Sequence, residues 1–186
     1  MRRTGRGQGE KHRRAERRKG GVRRWQKPSP GWVKINFDAG VKERQGLRIG
    51  VVCRDEWGKV RWGWAERRRD EFEARNAEAE AVLVGLQLAR RMKARRICME
   101  GDCKELIEAL QNGHIGLSDF HAVVEEILLF CRNFDSVLWS FSSRKLNTIA
   151  HELAHLCKVG DSLFFNDSTI PSRIVALAAS EINESV

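Results

Sequence analysis

The sequence predicts an α/β domain in which helices flank a mixed β-sheet. Three observations support this fold class. Residues 32–65 contain short segments with the period-two alternation of apolar and polar residues that is typical of strands. Residues 75–93 are rich in alanine and have the periodicity of a helix with an apolar face. Beyond them, strand-like and helix-like segments alternate, as they do in domains that contain parallel strands.

In the first half of the domain, the sequence pattern predicts a three-stranded antiparallel meander. In the first strand, Val33, Ile35 and Phe37 share one face, and polar residues occupy the other. A turn of sequence Asp-Glu-Trp-Gly separates the second strand from the third. The three predicted strands span residues 32–38, 50–55 and 59–65.

The second half alternates helices with two further strands. We predict helices over residues 75–93, 104–111, 119–132 and 148–158, and strands over 95–100 and 136–142. The resulting order, βββαβααβα, predicts a mixed sheet in a domain that spans residues 32–158. Residues 159–186 form a tail with a weakly helical stretch, which either packs on the domain or remains loose.

The basic charge is concentrated at the N-terminus. Residues 1–24 carry eleven basic and two acidic residues, which accounts for the whole net charge of +9. This segment has no apolar periodicity, so we predict a disordered arm. The arm either binds phosphates without reading sequence or is simply solvated. Residues 25–31 contain two prolines and predict an extended linker to the domain.

Composition narrows the class of protein further. No apolar run approaches the roughly 18 residues of a membrane span, and the N-terminus lacks the apolar core of a secretory signal. The five cysteines lack the spacing of a zinc site or a disulfide framework, which favours reduced thiols inside a cell. Basic residues at 11–19 resemble a nuclear localisation signal. We therefore expect an intracellular, nuclear monomer with no membrane partner.

Three carboxylates lie at the ends of predicted elements. Asp38 ends the first strand, Glu78 is near the start of the long helix, and Asp102 follows the fourth strand. Such positions can converge on one point of a mixed sheet, where carboxylate oxygens suit a hard divalent cation. Two ions about 4 Å apart can activate water for phosphodiester cleavage. Each residue also has a purely structural explanation, as a turn or cap residue or as a helix-dipole partner.

Four motifs, in chain order, resemble those of the ribonuclease H-type domains found in plant retroelement-derived proteins. They are WVKINFDAG at 32–40, AEAEAVLVGL at 77–86, MEGD at 99–102 and RKLNTIAHELA at 144–154. The resemblance covers about residues 31–158. It implies a ribonuclease H-like fold with a five-stranded mixed sheet. It also implies Mg²⁺ or Mn²⁺ at Asp38, Glu78 and Asp102, and cleavage of the RNA strand of RNA–DNA hybrids.

The closing motif departs from the family pattern at one position. The resemblance places His151 where the family has its fourth metal-side carboxylate. A neutral imidazole is a poor ligand for Mg²⁺ and a better one for Mn²⁺. Two functions therefore stay open. One is a metal-dependent endoribonuclease with His151 among its catalytic residues, and the other is a nucleic-acid-binding module with impaired catalysis.

The same segment allows further hypotheses. Arg144 and Asn147 could contact the substrate, and Asn147 could instead cap the last helix. His151 and His155 form a literal HExxH, the pattern of a zinc metalloprotease helix. The acidic residues that could supply its third ligand are Asp161, Asp167 and Glu181. We treat the protease as a remote alternative, because a five-letter pattern with few fixed positions arises by chance.

Overall fold

The computed structural model describes residues 24–42, 46–69, 74–113 and 118–183. The predicted basic arm, apart from Arg24, lies outside these residues. Six strands occupy the described residues: β1 Val33–Lys42, β2 Gly46–Arg54, β3 Val60–Arg68, β4 Arg96–Gly101, β5 Ser136–Phe141 and β6 Ser162–Asn166. Five helices accompany them: α1 Ala74–Arg91, α2 Lys104–Asn112, α3 Asp119–Phe130, α4 Thr148–Ala154 and α5 Ser172–Asn183. Across these ranges, none of the helices has the length and apolar character to cross a membrane.

The strands form one mixed sheet in the order β5-β4-β1-β2-β3-β6. Strands β1, β2 and β3 pair antiparallel, which confirms the predicted meander. Strand β4 runs parallel to β1, and β5 runs parallel to β4. The central strand β1 therefore has an antiparallel neighbour on one side and a parallel neighbour on the other. This arrangement confirms the predicted mixed sheet.

The sheet has six strands, so the expected count of five is wrong. The sixth strand, β6, pairs antiparallel with β3, from Trp62 opposite Asn166 to Glu66 opposite Ser162. Helix α4 ends at Ala154, four residues earlier than predicted, and the chain then turns back towards β3. Within β6, Phe165 is fully buried. Burial of this ring is the physical reason why the predicted tail joins the sheet.

Helices cover both faces of the sheet. Helices α1, α2 and α3 bury one face, with the odd-numbered residues of β1 in their core. Helices α4 and α5 cover the other face around β2, β3 and β6, where Ile149, Leu153 and Ile174 pack on Val52 and Phe165. The tail that we left either packed or loose thus packs on the domain through α5.

Gly50 of β2 sets the position of α4. It lies directly opposite Asp38 in the β1–β2 register. A Cβ atom at this position would overlap the backbone carbonyl of Ala150 and the backbone amide of Ala154. Glycine therefore allows the backbone of α4 to rest on the strand. This close approach brings the first turns of α4 next to the carboxylate of Asp38.

Candidate active site

The three predicted carboxylates converge in the structure. One carboxylate oxygen from each of Asp38, Glu78 and Asp102 lies within 4.8 Å of the other two. Asp38 is on the central strand β1, and Asp102 directly follows the parallel neighbour β4. Glu78 comes from the beginning of α1, which packs across β1. The crossing of these elements explains why residues so far apart in sequence meet at one point.

Burial and neighbouring charges raise the pKa values of Glu78 and Asp38. Burial raises the pKa of Glu78 to about 8, and the nearby charges of Asp38 and Asp102 act in the same direction. Burial is also the main reason why the pKa of Asp38 is raised, with Asp102 adding to it. Three like charges in one partly dry site are unfavourable without a counter-charge. The backbone amide of Ala39 and the charge of Arg144 compensate only in part at Glu78.

A divalent cation fits this donor set. The Oε2 atom of Glu78 is buried and has no hydrogen-bond partner among the described residues. Buried polar atoms are nearly always satisfied, so such an atom needs an explanation. Carboxylate oxygens within reach of one centre are the ligands that Mg²⁺ and Mn²⁺ prefer. The residues that could hold the ion are therefore Asp38, Glu78 and Asp102.

His151 lies beside this group rather than within it. Its Nδ1 atom is 3.0 Å from Oδ2 of Asp38 and 3.2 Å from Nη2 of Arg144. A guanidinium can only donate, whereas an ionised carboxylate can only accept. When Asp38 is ionised, Nδ1 must therefore carry the proton and donate to Asp38. In that state His151 orients Asp38, and its Nδ1 atom cannot also accept a hydrogen bond from Arg144.

Arg144 and Asn147 have different surroundings. Arg144 is exposed in a short 3₁₀ turn, Arg144–Leu146, next to the carboxylates, where a phosphate could reach it. Asn147 is 1% exposed, so it cannot contact a substrate. It occupies the N-cap position of α4, but its side chain makes no capping hydrogen bond. The structure thus supports neither predicted role of Asn147. Its amide instead donates to the carbonyl of Phe37, at 2.7 Å.

The HExxH pattern does not form a zinc site. His155 lies beyond the end of α4, and its Nδ1 atom bonds to the backbone carbonyl of His151 at 2.8 Å. Glu152 forms an ion pair with Arg173 of α5 at 2.5 Å.

Two candidates for the third zinc ligand are also engaged elsewhere, because Asp167 pairs with Arg61 and Glu181 pairs with Arg54. Within the described ranges, the one potential metal-binding group of three or more residues is the carboxylate group.

Sequence reasoning missed the polar residues that support the site. Asn36, Arg54 and Glu100 are buried on the face of the sheet that α4 and α5 cover. The alternation in β1 placed Asn36 on a polar face together with Asp38. That alternation contains no signal that part of the polar face is buried, because a polar face is ordinarily solvated.

Comparisons with known proteins agree with this fold. The model of a family described as reverse transcriptase-like matches residues 36–157. No curated protein matches the chain. Among solved structures, the N-terminal ribonuclease H domain of a Mycobacterium tuberculosis protein has a TM-score of 0.57 at 20% identity. That alignment covers 66% of this chain and 95% of the other.

Two further structures are similar. Ribonuclease H1 from the archaeon Halobacterium salinarum has a TM-score of 0.57 at 20% identity, over 66% of this chain and 93% of the other. LC11-ribonuclease H1, a protein isolated from compost, was solved in complex with an RNA/DNA hybrid. It has a TM-score of 0.59 at 19% identity, over 65% of this chain and 92% of the other. At these identities the likeness shows a ribonuclease H-like fold.

Proposed function

Because this chain belongs to the reverse transcriptase-like family, we propose that it is a metal-dependent endoribonuclease that cleaves the RNA strand of RNA–DNA hybrids. The convergence of Asp38, Glu78 and Asp102 within 4.8 Å carries this proposal. The substrate class is supported by LC11-ribonuclease H1, which has a similar fold and was solved with an RNA/DNA hybrid.

Each residue has a defined part in the proposed reaction. Asp38, Glu78 and Asp102 would hold Mg²⁺ or Mn²⁺, which when bound activates water and stabilises the leaving oxygen. His151 donates to Asp38 and keeps its carboxylate in one orientation. Arg144 presents a planar guanidinium that can bind a phosphate of the nucleic acid through two hydrogen bonds.

A second candidate function is a hybrid-binding module with impaired catalysis. His151 favours it, because its Nδ1 atom faces Asp38 and Arg144 and offers no hard oxygen ligand. Such a module would bind the hybrid and leave the RNA strand intact. Binding and cleavage must therefore be measured separately.

Substitution of Asp38 by Asn tests the proposed function. The change removes one charge from the metal site at almost constant volume, so cleavage of a labelled hybrid should fall by at least about a hundredfold. The matched control is Asp135→Asn, which removes a surface carboxylate that pairs with Arg95 and should leave the rate unchanged. Equal cleavage by Asp38→Asn and the wild type would overturn the assignment. Hybrid binding without cleavage by the wild type, in either Mg²⁺ or Mn²⁺, would establish the second candidate.

A further inference from the structure

A buried polar network lies behind the candidate active site, on the face of the sheet covered by α4 and α5. It connects both ends of the described chain to the central strand. Its outermost members lie outside the family match, which spans residues 36–157. The network consists of Trp25, Lys34, Asn36, Arg54, Glu100, Asn147 and Glu181.

Arg54 connects the terminal segments to this network. It is 1% exposed, and its guanidinium pairs with Glu181 of α5. The guanidinium also stacks on the ring of Trp25, with 3.4 Å between Cζ and the ring centroid. A buried arginine needs such partners, because an uncompensated charge in the interior is strongly unfavourable. Residues 25–31, predicted as a linker, thus pack into the domain through Trp25.

Asn36 accepts two hydrogen bonds from Trp25 and Arg54. Its Oδ1 atom accepts from Nε1 of Trp25 at 3.1 Å and from Nη2 of Arg54 at 2.8 Å. Both groups can only donate, so the amide of Asn36 must turn its oxygen towards them. Its Nδ2 atom then donates to Glu100 at 3.0 Å and to Oδ1 of Asn147 at 3.2 Å. All four hydrogen bonds that this side chain can make are formed.

Asn147 connects the oriented amide of Asn36 to the active site. Because its Oδ1 atom accepts from Asn36, its Nδ2 atom is directed to the carbonyl of Phe37, which precedes Asp38. The backbone carbonyl of Asn147 accepts from the amide of His151 at 3.1 Å, in the first turn of α4. One residue thus holds β1 and α4 together beside the contact between Asp38 and His151.

We propose that the buried polar network positions the candidate active site. Glu181 and Trp25 are its outer positioning residues, and Asn147 is the inner residue that fixes β1 against α4. The functional unit then extends beyond the family match at both ends. This inference rests on the proposed function, because the site that it positions is the proposed hydrolytic site.

Substitution of Glu181 by Gln tests the inference in the full chain. The change removes the carboxylate that pairs with the guanidinium of Arg54, so the hydrogen bond from Arg54 to Asn36 loses its fixed direction. We expect kcat for hybrid cleavage to fall by about tenfold with KM unchanged, since the network touches no substrate and small misplacements of reacting groups are costly. Rates are measured well below the Tm of each variant, so that unfolded molecules do not lower kcat.

The control is Arg173→Gln. It removes a different ion pair between α5 and the rest of the domain, in which the exposed Arg173 contacts Glu152 of α4. It should leave kcat unchanged. Wild-type kcat in folded Glu181→Gln, or a raised KM with unchanged kcat, would overturn the inference.

A second variant covers the case in which Glu181→Gln does not fold. Trp25→Phe keeps a ring against Arg54 and removes the hydrogen bond to Asn36. It should lower kcat in the same way, whereas the exposed Trp57→Phe should not. Wild-type kcat in Trp25→Phe would then overturn the inference.

If the wild type cleaves no hybrid, the proposed function fails and the inference is tested by Mn²⁺ binding alone. The Mn²⁺ concentration that half-saturates the rise in Tm should then increase by about tenfold in Glu181→Gln. The Arg173→Gln control should match the wild type. An unchanged Mn²⁺ midpoint in Glu181→Gln would contradict the positioning role.

Discussion

At the scale of single residues, the buried carboxylate of Glu78, whose Oε2 atom has no hydrogen-bond partner among the described residues, links metal binding to stability. Its pKa is about 8 in the folded protein against 4.5 for the free side chain. The folded state therefore holds this proton more tightly than the unfolded state does. The contribution of Glu78 to the free energy of unfolding is fully present below pH 4.5 and is lost as the pH rises to about 8. A bound cation would restore it by compensating the charge.

We predict that Glu78→Gln stabilises the metal-free protein at pH 8 and leaves its stability at pH 4.5 unchanged. At pH 8 the free energy of unfolding should increase by several kcal/mol, since each unit of pKa shift corresponds to about 1.4 kcal/mol. Urea unfolding in a chelator at both pH values measures it, with the exposed Glu108→Gln as control. Added Mg²⁺ should stabilise the wild type and not Glu78→Gln. If the free energy of unfolding changes equally with pH in the wild type and in Glu78→Gln, Glu78 is not a buried ionisable group.

His151 is the residue on which the choice of ion depends. Because the resemblance to ribonuclease H-type domains implies a carboxylate where this chain has the imidazole of His151, we expect more hybrid cleavage with Mn²⁺ than with Mg²⁺. His151→Asp should raise Mg²⁺-dependent cleavage by about tenfold, since it supplies a hard oxygen ligand. His121→Asp is the matched control, because His121 lies on α3 and its ring nitrogen contacts Ser118 rather than a residue of the candidate active site. Undetectable cleavage by His151→Asp with either ion would favour the impaired module.

At the scale of elements, the contact between α4 and β2 sets the geometry of the site. A methyl group at Gly50 would displace backbone atoms of α4, which cannot move without shifting the whole helix. We predict that Gly50→Ala destabilises the protein by about 3 kcal/mol in urea unfolding and reduces hybrid cleavage further by moving His151 away from Asp38.

Gly85 of α1 offers a contrasting substitution. A Cβ there would lie 3.1 Å from Cε of Met99, the mobile end of a flexible side chain. Alanine also favours a helix by about 1 kcal/mol over glycine. Gly85→Ala should therefore change stability little, and equal losses for Gly50→Ala and Gly85→Ala would contradict the special role of the α4 contact.

The elements also show what the sequence could predict. Alternation in β1 and periodicity in α1 depend on local sequence. Helix α1 appears within two residues of its predicted bounds. Strand β1 begins as predicted but continues to Lys42, so the prediction that Asp38 ends the strand is wrong and Asp38 lies within it. Strand β6 was missed because its five residues form a strand by pairing with β3, which is far away in sequence. No local sequence pattern predicts such a pairing. The convergence of Asp38, Glu78 and Asp102 was predictable once the order of strands was known. The role of Asn147 was not, since it depends on the orientation of a buried amide set by Trp25 and Arg54.

At the scale of the whole molecule, charge is divided between two parts of the chain. Residues 1–24 account for the net charge, whereas the remaining 162 residues are neutral overall. Residues 25–186 therefore contain the acidic residues of the candidate active site without a general excess of either sign. Nucleic-acid binding by residues 25–186 would depend on local cations such as Arg144. Any contribution from residues 1–24 would add phosphate contacts without sequence preference.

We propose that this chain cuts RNA paired with DNA by means of a metal held at three carboxylates. The most direct test uses one hybrid, labelled on either the RNA or the DNA strand, with the purified full chain. We predict internal cleavage of the RNA strand in Mn²⁺, weaker cleavage in Mg²⁺, none in a chelator, and an intact DNA strand throughout. Cleavage that persists in the chelator, or a hybrid that stays uncut in both ions while the protein is folded, would contradict it.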